Sequence, residues 1–528
     1  MSTTTSSGWR RTALFTDNYQ LVMAQLYVLE GLADRPAQFS YHYRANPDYG
    51  SHQAGFCVFA GLEPLLDWLD GLVVREDDID ALRRQRTPTG GPRFSESFLD
   101  WFRTNGSLPD VDLRAVAEGR VVHPHEPLII ATGPLGQAQL LETALLNLCN
   151  YPTLIATKAA RIAEAAGGPV LEFGMRQGPG AGVDEAARAA LIGGCDATSN
   201  VQAAVALGRG ARGTHAHSMV QTYLALCGDE GSDGPSPGEL AAFRAFARRS
   251  PDECILLVDT VDTLRSGVPN AITVFAELRA AGHEPAGIRL DSGDLAHLAV
   301  QSAVQLDAAG FDSAAIVLSG ELDELTIWQI LTQIDVEARH EGKDPGAIRE
   351  RLVYGVGTRL ITSAGDSSLG GVYKLTAVAG DDGGWRPALK LSESSAKIPI
   401  VGPNRTFRLR DRRGYAVVDL IMRDEEEPFA RGDDQEVRHP FLTDVSRTLQ
   451  RDEITGWEEL HDLVRHDGAR RSAAPSLDTI VERRARDVDV LDAGVRRLVN
   501  PHTYHVSVSP ALWQRQQDAV AELRRKGA

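Results

Sequence analysis

The sequence has few of the features that would place it in a secreted or membrane class. It has five cysteines in 528 residues, and they are scattered, odd in number and form no C-x-x-C pair. Such cysteines predict reduced thiols rather than a disulfide framework, as is usual in the cytoplasm. No uncharged apolar run approaches the ~18–20 residues of a membrane span, and the N-terminal residues lack the apolar core of a signal peptide. We therefore expect a cytoplasmic protein without a membrane partner.

Basic residues are also fewer than acidic residues. The chain has 55 lysines and arginines against 72 aspartates and glutamates, a formal net charge of −17. This balance argues against nucleic acid as a partner, although it leaves room for a local basic pocket that binds a small anion. Hydrophobic residues make up 43% of the chain, so a large core can form. The length suits about three domains of roughly 150 residues.

The pattern of apolar segments changes along the chain. Residues 1–135 read as an α+β domain, which strands from 366–425 are expected to complete. In residues 136–365, short apolar runs alternate with helices, which predicts a parallel α/β architecture. An irregular (β/α) barrel is the favoured form and a doubly wound open sheet is the alternative. Residues 426–528 are polar and are predicted to be mostly helical.

Chemically reactive residues follow seven of the apolar runs in the middle of the chain. In a (β/α) barrel, the active site lies at the carboxyl ends of the strands. We therefore expect one site built from the residues at these ends, which are Arg176, Asp196, His217, Asp259, Asp291, Gly320 and Gly357.

Four motifs suggest a sugar phosphate or a flat acid as ligand. The glycine loops 318–324 (LSGELDE) and 354–359 (YGVGTR) could bind phosphate through backbone N–H groups, or they could be tight turns. Arg289 and Asp291, in GIRLDSGDL, could bind a phosphate and sugar hydroxyls, or they could form a structural ion pair. The motif EFGMRQG offers an aromatic face and a guanidinium for a ring with a carboxylate, or a core phenylalanine and a surface arginine.

The motif GTHAHS contains two histidines, His215 and His217, which would share one face of a strand. A metal site would need a third ligand, and no suitable spacing supplies it. A second His-x-His, in HPHEP (123–127), reads as a turn. One histidine at a barrel mouth is instead suited to acid–base chemistry or to carrying a phosphoryl group.

Taken together, the motifs resemble those of the nicotinate phosphoribosyltransferase family, over residues 14 to about 420. In chain order they are FTDNYQLVMAQLY, FGMRQG, ARAALIGGCDATSN, GTHAHS, RSGVPNAI, IRLDSGDL and YGVGTRLITS. The resemblance implies a type II phosphoribosyltransferase fold: an α/β N-terminal domain, an irregular α/β barrel and a C-terminal extension. It implies that nicotinate and 5-phosphoribosyl-1-pyrophosphate (PRPP) give nicotinate mononucleotide and pyrophosphate, in NAD salvage. It also implies a need for Mg²⁺ and ATP hydrolysis coupled through a phosphohistidine.

For the base, the resemblance places nicotinate between Phe173 and Tyr19, the latter from the partner subunit. Arg176 would hold the ring substituent and Asp196 would lie beside the ring. His217 would be the phosphorylated histidine, whereas His215 falls where the family tolerates other residues.

For the sugar phosphate, the resemblance implies that Asp259, Arg289 and Asp291 hold ribose hydroxyls and metal-bound pyrophosphate. Mg²⁺ would be held mainly by the pyrophosphate, with the two aspartates as further candidates. The groups expected around the 5-phosphate are Gly320, Gly355, Gly357, Thr358 and Arg44, the last from the second subunit. A site shared between subunits implies a homodimer.

The chain departs from the family at two places. Val261 replaces a tyrosine in DTVDT, which we expect to change the packing near the sugar without loss of the reaction. Lys390 and Lys397 lie where relatives usually have Pro-Gly-Lys, so no role is assigned to them. Two alternatives stay open: nicotinamide as the substrate, because Asp196 would repel the acid, and an unrelated barrel enzyme acting on sugar phosphates. The latter usually needs a lysine or glutamate at a strand end, and these strand ends offer no clear candidate.

Overall fold

The computed structural model describes residues 12–227, 234–390, 399–430 and 432–527. Contacts between residues divide the chain into two compact units. The first unit consists of Met1–Leu154 and Ser368–Ala528, and the second consists of Ile155–Ser367. The first boundary therefore falls inside a long helix rather than at residue 135, and the two ends of the chain belong to the same unit.

The helices of the described residues are α1 (Asn18–Leu29), α2 (Leu62–Asp70), α3 (Glu76–Arg83), α4 (Glu96–Asn105), α5 (Leu135–Leu140), α6 (Glu142–Ala166), α7 (Gly182–Gly193), α8 (Val201–Ala206), α9 (His217–Cys227), α10 (Pro237–Arg249), α11 (Val268–Ala280), α12 (Leu295–Ala308), α13 (Glu324–His340), α14 (Pro345–Arg349), α15 (Thr358–Ile361), α16 (Leu477–Asp489), α17 (Ala493–Arg496) and α18 (Pro510–Gly527). In this part of the chain, no helix combines the length and the apolar character that a bilayer crossing needs.

The strands of the same residues are β1 (Pro36–Tyr43), β2 (Cys57–Val58), β3 (Asp112–Val116), β4 (Val121–Val122), β5 (Ile129–Pro134), β6 (Val170–Glu172), β7 (Ala197–Thr198), β8 (Ile255–Leu257), β9 (Gly287–Leu290), β10 (Ala315–Ser319), β11 (Leu352–Val356), β12 (Gly371–Ala379), β13 (Trp385–Pro387), β14 (Asn404–Asp411), β15 (Ala416–Arg423), β16 (Gln435–Arg438), β17 (Ser446–Leu449), β18 (Ile454–Glu459), β19 (His461–His466), β20 (Ala469–Arg470) and β21 (Val506–Val508).

The first unit contains two large sheets. One has the strand order β13-β12-β1-β5-β3-β19-β20 and is antiparallel throughout. The other has the order β17-β16-β21-β15-β14-β18. From the range 366–425, β12 and β13 join the N-terminal sheet, whereas β14 and β15 belong to the other sheet.

The prediction of a mostly helical region at 426–528 is wrong. The region contains the strands β16 to β21 as well as α16, α17 and α18. Its strands pair with distant segments: β18 lies beside β14, and β19 lies beside β3. Because the partners that satisfy these strands come from elsewhere in the chain, local propensity does not reveal them.

The second unit is built around a parallel sheet with the order β7-β6-β11-β10-β9-β8. Every neighbouring pair is parallel, and α7, α11, α12 and α13 occur between successive strands. Strand residues such as Ile288, Leu290 and Leu318 are fully buried, as in parallel sheets that are covered on both faces. The carboxyl ends of all six strands therefore lie at one edge of the sheet.

Between the two outer strands, β7 and β8, the described residues form no seventh strand, and an irregular segment lies there instead. The run ARGTHAHS was expected to be a strand, but residues 209–216 have no regular structure and α9 begins at His217. The Arg212 N–H donates to the Thr198 carbonyl of β7 (2.9 Å), and the Leu257 N–H of β8 donates to His215 Nε2 (3.1 Å). The segment thus completes an irregular α/β barrel, which confirms the predicted fold class.

Candidate active site

Most of the predicted site residues of the barrel lie at the carboxyl edge of the parallel sheet. Phe173 directly follows β6, Asp259 follows β8 by two residues, and Asp291 directly follows β9. Ser319 ends β10 and Gly357 directly follows β11. The parallel register pairs Leu290 with Leu318 and Ser319 with Gly355, so these ends are adjacent, as they are in barrel active sites.

Arg289 is the centre of a polar network at this edge. Its guanidinium donates to Asp291 Oδ1 (2.7 Å), to Ser319 Oγ (2.8 Å) and to Thr214 Oγ1 (3.1 Å). The guanidinium carbon lies 5.5 Å from the centroid of the Phe173 ring. The ion pair with Asp291 is therefore real, and it lies within the site rather than apart from it.

Asp291 is held in its ionised form. Burial raises the pKa of Asp291, but a hydrogen bond from Ser319 and the charge of Arg289 outweigh this effect and leave the pKa below its usual range. Its second oxygen, Oδ2, takes no part in these two contacts and lies 3.8 Å from His217 Nε2. One oxygen is thus fixed by the protein and the other remains for a ligand.

Asp259 is more deeply buried, with 2% of its side chain exposed. Its Oδ2 accepts hydrogen bonds from the Asp291 N–H (3.0 Å) and from Ser292 Oγ (2.6 Å). Its Oδ1 has no hydrogen-bond partner among the residues that the structure describes. A buried carboxylate oxygen without a partner is costly, so this atom is suited to a cation or a donor from a substrate.

His217 lies at the start of α9 with 37% of its side chain exposed. Its Nδ1 is 3.0 Å from Thr260 Oγ1, and its Nε2 is 3.9 Å from Asp259 Oδ1 and 3.8 Å from Asp291 Oδ2. One ring nitrogen is therefore oriented by a hydroxyl, while the other faces two carboxylates at the mouth of the site.

His215 lies in a different environment from His217, with different burial and different hydrogen bonds. It is buried, its Nε2 accepts the Leu257 N–H, and burial lowers its pKa to about 4, so the ring is neutral near pH 7. Since this nitrogen is already used inside the fold, the two histidines do not form a metal pair. The motif contains one histidine at the site and one inside the barrel wall.

The Phe173 ring is half-buried and its position is closely defined. A Cβ on Gly355 would lie 2.5 Å from Phe173 Cε2, so glycine is required there by contact with the ring. Directly before the ring, the buried Glu172 accepts hydrogen bonds from the Gly174 N–H and from Thr198 Oγ1. Burial raises the pKa of Glu172. Gly355 thus packs against the ring, and the hydrogen bonds of Glu172 fix the main chain on both sides of Phe173.

The two glycine loops follow the adjacent strands β10 and β11. Gly320 has a φ of +98°, and a Cβ there would lie 2.3 Å from the Asp291 carbonyl oxygen, so only glycine fits. Gly357 precedes the single turn α15, which begins at Thr358. Arg359 donates to Asp323 Oδ2 (2.9 Å), which links the two loops. Main-chain groups of both loops therefore border the same part of the edge.

Comparison with known proteins agrees with this geometry. Residues 14–150 match the family model of the nicotinate phosphoribosyltransferase (NAPRTase) N-terminal domain, and residues 404–516 match that of the C-terminal domain. The chain is 34% identical to nicotinate phosphoribosyltransferase of Caenorhabditis elegans, over 95% of this chain and 92% of the relative. It is also 34% identical to the enzyme of Bacillus subtilis, over 97% of this chain and 96% of the relative. The chain belongs to the nicotinate phosphoribosyltransferase family.

A solved structure of the family shares the fold. The crystal structure of human nicotinic acid phosphoribosyltransferase superimposes with a TM-score of 0.77 at 29% sequence identity. The match covers 96% of this chain and 100% of the human chain. The family fold therefore extends over both units.

Asp196 does not lie where the resemblance to the family placed it. Its carboxylate accepts the Val170 N–H (2.8 Å), and its own N–H donates to the Val170 carbonyl (2.8 Å). Val170 begins β6, so Asp196 lies at the amino edge of the sheet, opposite Phe173. The prediction was wrong because the apolar run before Asp196 ends the helix α7, and the short strand β7 begins only after it.

The other predicted residues of the family site are placed as follows. Arg176 is exposed on a short turn after Phe173. Tyr19 lies in the first unit on α1 with half of its surface exposed, and Arg44 directly follows β1. Their contribution to a partner's site stays a prediction. Val261 is exposed to 45% of its surface.

Most of the site residues that sequence reasoning missed carry a hydroxyl group. Thr214, Thr260, Ser292 and Ser319 each form a hydrogen bond with a predicted site residue, which is Arg289, His217, Asp259 and Arg289 respectively. Each is within three residues of a predicted site residue that the same motif contains. A signal was therefore present, because small hydroxyl residues beside charged groups at strand ends are well suited to orient them.

Proposed function

We propose that this protein is a nicotinate phosphoribosyltransferase, which joins nicotinate to PRPP and releases nicotinate mononucleotide and pyrophosphate for NAD salvage. The observation that carries the proposal is the cluster of Arg289, Asp291, Asp259 and His217 at one edge of the barrel. Family membership over almost the whole chain supports the same reaction. An unrelated barrel enzyme has no comparable support.

The base would lie against the Phe173 ring, near the Arg289 guanidinium. Loss of pyrophosphate leaves positive charge on the ribose, and the carboxylates of Asp259 and Asp291 are suited to stabilise it. The ring nitrogen of nicotinate is already a nucleophile, so no side chain has to remove a proton from it. The contribution of this chain is therefore mainly to position the two substrates and to stabilise charge.

Nicotinate is a better fit than nicotinamide. Arg176 follows Phe173, and a charge-assisted hydrogen bond to a carboxylate contributes ~1.5–3 kcal/mol. This corresponds to about 10- to 150-fold in affinity. The one negative group expected beside the ring, Asp196, lies at the opposite edge of the sheet. Its location removes the main argument for the amide.

Mg²⁺ fits the carboxylates of this site. The unpartnered Oδ1 of Asp259 and the Oδ2 of Asp291 are oxygen ligands of the kind that Mg²⁺ prefers, in addition to the pyrophosphate itself. When bound, the ion would neutralise the charge of the leaving pyrophosphate. The 5-phosphate would bind to the N–H groups of the two glycine loops around Gly320, Gly355, Gly357 and Thr358.

ATP would act as a co-substrate through His217. Its ring is accessible at the mouth of the site, and Thr260 orients Nδ1. A histidine nitrogen can carry a phosphoryl group. Phosphorylation of His217 would couple ATP hydrolysis to the capture of scarce nicotinate.

We further propose a cytoplasmic homodimer with shared active sites. In the first unit, Arg44 lines a cavity of about 900 Å³ together with Lys374, Arg386 and Lys390. Among the charged residues of this cavity, cations outnumber the single acid, Glu522, which supports a role of Arg44 towards a phosphate of the partner's substrate. Lys397 lies outside the described residues.

The test is a coupled assay of pyrophosphate release with nicotinate, nicotinamide and quinolinate in parallel, each with and without ATP. Release is expected only with PRPP and a base together, with nicotinate preferred and with faster release in ATP. In the His217→Ala variant, ATP should no longer stimulate the residual reaction. Preferred use of nicotinamide or quinolinate would contradict the substrate assignment, and intact ATP coupling in the variant would contradict the role of His217.

A further inference from the structure

The outer edge of β8 has an N–H group that no strand satisfies. The Val258 N–H donates to the Arg289 carbonyl of β9 (3.1 Å). Because successive N–H groups of a strand point in opposite directions, the Leu257 N–H points away from β9. A buried N–H without a partner is destabilising. The acceptor that it finds is His215 Nε2, at 3.1 Å.

The His215 ring is suited to this task because its surroundings fix both its position and its charge. It is buried, and it packs against Phe246 in a T-shaped arrangement, with the ring centroids 4.9 Å apart. Burial lowers its pKa to about 4. With Nε2 as the acceptor, the proton of the neutral ring is on Nδ1, which lies 3.5 Å from the Ala216 carbonyl oxygen.

The same contact sets the register between two segments of the site. In the first segment, His215 is hydrogen-bonded to Leu257 and His217 is hydrogen-bonded to Thr260. The two histidines are two residues apart, and their partners, at the end of β8 and after it, are three residues apart. Asp259 lies between the two bonds. Before His215, a Cβ added at Gly210 or Gly213 would meet no atom within 4 Å, and the bond from the Arg212 N–H to Thr198 ties the segment to β7 rather than to β8.

We propose that His215 is a positioning residue: its Nε2 replaces the missing strand carbonyl beside β8 and so fixes the distance of His217 from Asp259 and Asp291. The inference rests on the proposed function only for the role of His217. In this view, the two histidines of the His-x-His motif act together: the buried His215 positions the reactive His217.

Two variants separate the effect of losing the hydrogen-bond acceptor from the effect of losing the aromatic ring. His215→Phe keeps an aromatic ring but removes the acceptor, whereas His215→Gln removes the ring but keeps an acceptor at a similar reach. The Leu257 N–H is expected to exchange with solvent at least about tenfold faster in His215→Phe and to stay protected in His215→Gln. Hydrogen exchange with mass spectrometry measures this without any assumption about the reaction.

The activity readout is the ATP stimulation of pyrophosphate release. In His215→Phe, the stimulation should fall about tenfold, while the ATP-independent rate and the KM for nicotinate change less than about threefold. His215→Gln should restore most of the stimulation. A merely structural defect would lower both rates together, so equal losses with and without ATP would overturn the proposal.

A failure of the proposed function can be told apart from a failure of this inference. If the wild-type protein shows no ATP stimulation, the proposed function fails. The inference is then decided by Leu257 exchange and by the rate at which diethyl pyrocarbonate modifies His217, which should change severalfold in His215→Phe but not in His215→Gln. If neither variant folds, ¹⁵N NMR of labelled wild-type histidines decides: a proton on Nδ1 of His215 supports the inference, and a proton on Nε2 overturns it.

Discussion

Gly355→Ala offers a direct test of the Phe173 ring as the platform for nicotinate. The added Cβ would lie 2.5 Å from Cε2 and 2.6 Å from Cδ2 of the ring, whereas ordinary contacts begin at 3.4 Å. Gly355 lies in the regular strand β11 and is not among the glycines with positive φ, so the contact alone causes the effect. The ring must therefore move by about 1 Å, and such overpacking costs about 1–3 kcal/mol.

If this free energy is lost from the binding of nicotinate, the KM for nicotinate should rise about 5- to 150-fold. The KM for PRPP should change less, because alanine keeps the main-chain N–H that is proposed to face the 5-phosphate, and the displaced ring is placed against the base. Initial rates of pyrophosphate release at saturating PRPP measure the effect. Gly456→Ala, in the strand β18 with no neighbour within 4 Å, is the matched control and should behave as wild type. Equal increases in both KM values, or no increase in either, would refute the reasoning.

Three further outcomes are expected. His123 stacks on Tyr504, burial lowers its pKa to about 3, and neither of its ring nitrogens has a hydrogen-bond partner among the described residues. As the pH falls below about 6.5, the unfolded state binds a proton that the native state does not, so wild-type stability falls by up to about 1.4 kcal/mol per pH unit from this residue. His123→Phe should remove this contribution, as urea unfolding at pH 7 and 5.5 would show; an unchanged difference between the two pH values would contradict it. Asp291→Asn should lower kcat about 10²–10³-fold, because Arg289 and the developing positive charge lose their carboxylate; a change in KM alone would speak against this role. Chelation by EDTA should stop pyrophosphate release and added Mg²⁺ should restore it, so activity that persists in EDTA would exclude the metal.

Most of the barrel strands were predictable because they are short, mainly apolar runs. Strands such as Ile255–Leu257 and Ala315–Ser319 are buried on both faces, and their composition shows this directly. The residues just after such runs, including Asp259, Asp291 and Gly320, could then be assigned to one edge of the sheet. The prediction worked because in parallel sheets the direction of the chain determines which edge a residue lies on.

The same reasoning failed where a strand is too short to have a pattern. The strand β7 has two residues, and the apolar run before Asp196 belongs to α7. In the C-terminal region, β18 and β19 are separated by one residue yet belong to different sheets. Their stability comes from β14 and β3, which are far away in the sequence, so no local signal could indicate them.

The two histidines show most clearly what tertiary structure adds. If the segment were a strand, alternation would place His215 and His217 on the same face, and a shared ligand would be reasonable. The segment is irregular, so the rings separate: one is buried against the edge of β8, and the other begins a helix beside two carboxylates. The chemical difference between them follows from this separation, because burial keeps the first ring neutral and bonded within the protein, whereas the second remains accessible to substrates. Two identical side chains two residues apart thus acquire different tasks through the hydrogen-bonding needs of an unpaired strand edge.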